Sequence, residues 1–199
     1  MKRGRTKNHR RQEFLRKLEC KSKNRVDISR VDNIVFVQVL NLGNAMVAVS
    51  TRDIIDVHIN GGAMHVVVDL SKCCSLDSTF MGMLVGFGNL IKEKKQLSER
   101  KSDKKPPIII SNANDMLINQ LSLLGLNNIP NLIHIKEDSI SFPDIEFYKI
   151  YEQPLDKNKR LNAIMDAHIE LMKINEKNQK TFKPFLKAII NELDDIEEK

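Results

Sequence analysis

Short apolar runs alternate with helical repeats along the first two thirds of the chain. Val66, Val67, Val68 and Leu70 form a β-branched run of the kind that a sheet buries on both faces. Ile34 to Leu40 is a longer strand pattern. It follows a modest one at Val26, Ile28 and Val31, with Asp32-Asn33 as the turn between them. Ile108-Ile109-Ile110 and Leu132 to Ile135 supply two more, with Ile140 and Phe142 extending the last. Between these runs the spacing becomes helical. Ala45 to His58 carries Met46, Val49, Ile54 and Val57, and Asn60-Gly61-Gly62 ends it in a turn. A second helix carries Phe80, Leu84, Phe87, Leu90 and Ile91, and a third carries Met116, Leu117, Leu121 and Leu124, closed by Gly125. Strands separated by helices pair in parallel, whereas the short first turn makes the first two strands antiparallel. The expected fold is α/β, a mixed four- to five-stranded sheet with helices mainly on one side.

The last third reads differently. Phe147 to Asp156 has the look of a linker, with Pro154 as a stop. Beyond it, Leu161, Ile164, Met165, His168, Leu171 and Met172 recur at three and four residues. Phe182, Phe185, Leu186, Ile189, Ile190 and Leu193 do the same, with Pro184 expected in a first turn. Asn175 to Asn178 joins the two as a helical hairpin. Its apolar stripes would stay wet unless packed on the main domain or on a second copy of the chain, so a homodimer through the hairpin is one expectation. His168 lies on the apolar stripe and reads as a core histidine rather than a ligand. Asp166 points elsewhere on the helix.

Charge changes the picture only at the N-terminus. Residues 1–25 hold eleven Lys and Arg against Glu13 and Glu19, a charge of +9, so the rest of the chain carries −3 of the total +6. Such a block repels itself and predicts a basic disordered arm, with a short helix around Arg11 to Leu18. Contact with nucleic acid or another acidic surface is one use for it, and solubilisation is the other. The organisation expected is thus an arm over 1–25, a main domain over 26–146 and a hairpin over 157–196. No stretch approaches the length of a membrane span. Cys20, Cys73 and Cys74 suggest neither a disulfide framework nor a zinc site, and fit a reduced, cytoplasmic protein. No cofactor or metal is expected. Neither a catalytic triad nor a phosphate loop is present, so the chain does not read as an enzyme.

Glycine within a helix costs about 1 kcal/mol relative to Ala. Gly82 and Gly86, one turn apart, therefore predict a neighbour approaching that face closely. The most informative chemistry lies just ahead of them. Asp77 and Ser78 stand where the second helix starts, and a hydroxyl there has two readings. It caps the helix by accepting from a free N–H, or it accepts a phosphoryl group, whose charge the helix dipole tolerates.

The run V-V-V-D-L-S followed by L-D-S-T-F-M-G-M-L-V-G resembles the STAS domain of anti-sigma factor antagonists. The resemblance covers Val26 to Ile135, and more loosely the tail, where Ala167-His168-Ile169-Glu170-Leu171 is similar to an A-H-x-x-L element of some relatives. It differs at Thr79-Phe80-Met81-Gly82, where the family usually has Ser-Gly-Leu-Gly. What it implies is a partner switch. Ser78 would be phosphorylated, with Thr79 as the fallback, and Asn44, Asp77, Ser78, Thr79, Phe80 and Met81 would form the docking surface. An anti-sigma serine kinase would bind the unphosphorylated form, and a phosphatase would restore it. The alternative is a STAS subunit or scaffold of a membrane-associated transport or signalling complex, without a phosphorylation cycle.

Overall fold

The structure is a computed structural model describing residues 23–97, 105–135 and 144–197. Residues 1–22 of the arm expected over 1–25, including its expected helix, and the strand extension at Ile140 and Phe142 lie outside the described residues, while Arg25 already belongs to the first strand. The elements are β1 (Arg25–Val31), β2 (Ile34–Gly43), α1 (Ala45–Asn60), β3 (His65–Asp69), β4 (Cys73–Leu76), α2 (Ser78–Leu97), β5 (Ile108–Ser111), α3 (Asp115–Leu123), a 3-10 turn (Leu126–Asn128), β6 (Ile133–Ile135), β7 (Tyr148–Tyr151), α4 (Lys157–Met172) and α5 (Glu176–Glu197).

The strands run in the order β6-β5-β3-β2-β1-β7, with β4 paired to the end of β2. β1 and β2 are antiparallel, and β2, β3, β5 and β6 are parallel. β3 occupies the middle, and all five of its residues are buried. β2 buries Val35, Val37 and Val39 on one face and leaves Ile34, Phe36, Gln38 and Leu40 half-buried on the other. That asymmetry places the helical cover mainly on one side.

Two strands exceed the expected four or five. β4 is too short to show a period. β7 lies within the segment read as a linker and pairs antiparallel with β1, burying Ile150 against Val26. Its neighbours Tyr148 and Tyr151 are exposed, so only the distant pairing partner reveals the strand.

The chain ends in the expected helical hairpin, which packs on the main body. Leu171 of α4 is fully buried in the same apolar cluster as Val68, Leu84 and Ile110. Pro184 corrects the expected helix start. α5 begins eight residues earlier, at Glu176, so Pro184 sits inside it. Asn175 starts the helix by accepting from the Asn178 amide at 2.8 Å. The Asn178 side chain then donates to the carbonyls of Leu124 (2.9 Å) and Leu171 (2.8 Å), stitching the hairpin turn to the end of α3. Among the described residues, no helix is long and apolar enough to cross a membrane.

Candidate functional site

The starts of α1 and α2 meet at one end of the sheet. Asn44 caps α1, its Oδ1 accepting from the amides of Met46 and Val47 at 3.1 Å. Asp77 serves both helices. One carboxylate oxygen accepts from the Phe80 amide (2.8 Å) and the other from the Ala45 amide (2.8 Å). Burial pushes the Asp77 carboxyl up, opposed by these amide bonds and by nearby His168. The first-turn amides of α2 are thus committed to Asp77, with Met81 N–H donating to its backbone carbonyl.

Ser78, the first residue of α2, is half-buried. Its Oγ lies 2.9 Å from Nε2 of His168 on α4. Nδ1 of His168 lies 2.7 Å from the Ile164 carbonyl, which can only accept. Nδ1 therefore carries the proton of the neutral ring, and Ser78 donates to Nε2. Phe182 and Phe185 of α5 meet the imidazole edge-on, with ring centroids at 4.7 and 4.8 Å. Burial lowers the His168 pKa against the opposing effects of the Ile164 bond and Asp77.

Behind Ser78, α2 and α4 touch backbone to backbone. A Cβ on Gly82 would fall on the Ala167 carbonyl oxygen, 2.6 Å from its carbon. On Gly86 it would meet the Glu170 side chain at 3.4 Å. The close neighbour signalled by these glycines is therefore α4. A cleft of about 330 Å³ between α1, α2 and α4 is lined by Val49, Arg52, Thr79, Met83, Phe87 and Asp166, among others.

The structure brings Asn44, Asp77 and Ser78 together at the surface. Thr79, Phe80 and Met81 turn inward and are buried. Two participants carry no local signal in the sequence. His168 reads as core because only its stripe is visible there, although its A-H-x-x-L setting marks the segment. Glu152, just past β7, accepts from the side chains of Asn44 (3.3 Å) and Asn24 (2.6 Å), putting a carboxylate beside the cap of α1.

Cys73 is free and buried, its thiol pKa pushed up to about 12. The expectation of unbridged cysteines fails at Cys74, which is disulfide-bonded. Among the described residues, no three His, Cys, Asp or Glu side chains are grouped to hold a metal.

No family model matches the chain, and no curated protein matches it. One antiparallel pair leads into parallel strands, the mixed order that the strand and helix pattern of the sequence predicts. The fold is α/β, a mixed sheet with its helices mainly on one side. Among solved structures, the chain is similar to the anti-sigma factor antagonist SpoIIAA in its unphosphorylated form. Identity there is 14% and the TM-score 0.44, over 57% of this chain and 89% of that one. It is also similar to an uncharacterized DUF3478-family protein with a SpoIIAA-like fold from Shewanella loihica PV-4. That match has 12% identity and a TM-score of 0.35, over 59% of this chain and 89% of that one.

A pH dependence follows from His168. Its folded pKa lies below the ordinary 6.5, so the unfolded form takes up the proton first. The stability it contributes is present above pH 6.5 and is lost as pH falls toward the folded value. His58 is shifted the same way, by burial and by Arg30. Melting temperatures measured from pH 7.5 to 5.5 should therefore fall less steeply in His168→Gln than in the parent. Equal slopes would remove His168 as a source.

Proposed function

We propose that the chain is a partner-switching protein acting in the cytoplasm, an anti-sigma factor antagonist in the sense of the STAS resemblance. Unphosphorylated, it binds an anti-sigma serine kinase around Asn44, Asp77 and Ser78. Phosphorylation at Ser78 releases it, and a phosphatase resets it. The observation carrying this reading is the placement of Ser78. It is the first residue of a helix, half-buried, beside the capped start of a second helix. A phosphoryl group there adds a charge of about −1.5 to −2 at pH 7. It would sit next to the Asp77 carboxylate, so a partner shaped to the neutral hydroxyl would meet concentrated negative charge.

The test is incubation of the full chain with ATP and the anti-sigma kinase of the same cells, followed by mass mapping of residues 76–92. One phosphate on Ser78, absent from Ser78→Ala, is expected. Thr79 is a poorer acceptor because its side chain is buried. An active kinase that modifies nothing would favour the second reading, a STAS subunit or scaffold of a membrane-associated complex that docks without a phosphorylation cycle. The engagement of the Ser78 hydroxyl by His168 is the observation on that side.

A further inference from the structure

We propose that the α4–α5 hairpin is an autoinhibitory cover. Seated on the first turns of α2, it withholds Ser78 and the face around Gly82 from any protein partner, and it must lift off before one can dock. The proposal rests on reading the surroundings of Ser78 as the docking face, but its test needs no kinase.

Three features place the cover over this spot. The Ser78 hydroxyl is held by His168, whose ring is fixed on its far side by Ile164 and by two phenylalanines of α5. Two turns of α2 meet α4 with no side chain on the α2 side, at Gly82 and Gly86. Thr79, between Ser78 and Gly82, is buried in the first turn of α2. A partner reading this end of the molecule with the hairpin in place meets Asn44, Glu152, half-buried Asp77 and the edge of Ser78, but not Thr79 or the face around Gly82.

The attachment is also of a kind that can release. Its outer contacts are ion pairs between solvent-exposed side chains, Arg52 with Asp166 and Lys159 with Asp53, both at 2.7 Å. Such pairs contribute little in water. α5 leaves Phe185 and Ile190 exposed, so its apolar face is only partly used by the closed state. Segments with such contacts open locally more readily than the central strands of a sheet.

Ser78→Cys in the full-length protein converts the covered position into a probe. Its alkylation by iodoacetamide is followed on the peptide released by cleavage before Asp77, which separates position 78 from Cys73 and Cys74. Adding Gly82→Ala places a methyl group against the Ala167 backbone, which cannot move aside as a side-chain tip could, while favouring helix in α2. Alkylation at position 78 should be slow in the single variant. It should rise about tenfold or more in the double variant, the scale of response expected from overpacking a tight contact. Equal rates in both variants, or a single variant already as reactive as unfolded chain, would overturn the cover.

Hydrogen exchange on the unmodified protein decides the matter should the double variant not fold. Amides of α4 and α5 should exchange before those of β3, and exchange of both only in one common event overturns the proposal. A kinase that phosphorylates parent and Gly82→Ala equally would remove the cover and leave the switch standing. A Gly82→Ala protein that is open by alkylation, yet untouched by an active kinase, would remove the switch and leave the cover.

Discussion

Replacing Asp69 by Ala is expected to lower the melting temperature by roughly 6–12 °C, from a loss of about 3 kcal/mol at about 2–4 °C per kcal/mol for a chain of this size. Asp69 ends the central strand and is buried. Its carboxylate accepts from Gln38 Nε2 of β2 (2.6 Å), from Ser71 N and Oγ (3.0 and 2.9 Å), and from Asn112 Nδ2 after β5 (2.8 Å). Three parallel strands are thereby tied at the end where the chain turns toward Ser78. Asn112 holds a positive φ of 56°, and its bond to Asp69 helps to fix that turn. Truncation removes all four acceptor contacts at once. Water reaches half-buried Gln38 and exposed Ser71, which keeps the loss near 3 kcal/mol rather than at the sum of four charged bonds. Calorimetry checks the value, and Asp69→Asn should recover part of the loss because its side-chain oxygen still accepts. A shift below about 2 °C in the Ala variant, under the effect of 1 kcal/mol, would mean the carboxylate is not what joins these strands.

Leu171→Ala is expected to cost about 2–5 kcal/mol, the range for deleting a fully buried leucine side chain. Leu171 has no exposed surface and belongs to the cluster that the sheet and α2 build. The matched control is Ile190→Ala, on the half-exposed side of α5, which should stay within about 0.5 kcal/mol. Urea unfolding separates the two, with a lower midpoint and an unchanged slope for Leu171→Ala. Equal costs would show that the hairpin does not unfold cooperatively with the sheet. Hairpin opening and core membership are compatible. Leu171 adds to the cost of opening, so its truncation should also speed hydrogen exchange in α4 before that in β3.

The parts legible in the sequence are those whose signal is local. Val66 to Leu70 is apolar at every position but Asp69, and no other environment than a central strand suits it. Asp77 and Ser78 precede an uninterrupted apolar repeat, which fixes the start of α2. Gly82 and Gly86 announced a close neighbour without saying which, because the answer, Ala167, lies some eighty residues away. β7 is illegible for the same reason, since Tyr148 to Tyr151 become a strand only beside β1. The start of α5 is not legible because Glu176 to Thr181 carry no apolar period, and only the Asn175 cap marks it. The apolar stripe predicts a buried His168, yet such a stripe reveals burial and not a bond to a serine on another element.

β7 has one more consequence. By pairing with β1 it anchors the chain at Ile150, and only residues 152–156 separate the anchored strand from α4. A hairpin that lifts off cannot diffuse away. It stays tethered within reach of its seat, at an effective concentration on the order of millimolar for so short a connection. Any molecule that takes the seat must therefore outcompete a ligand that is always present. Weak partners at micromolar abundance would be turned away without any change in the surface they recognise, and shifting the balance would require only lengthening or cutting those few residues.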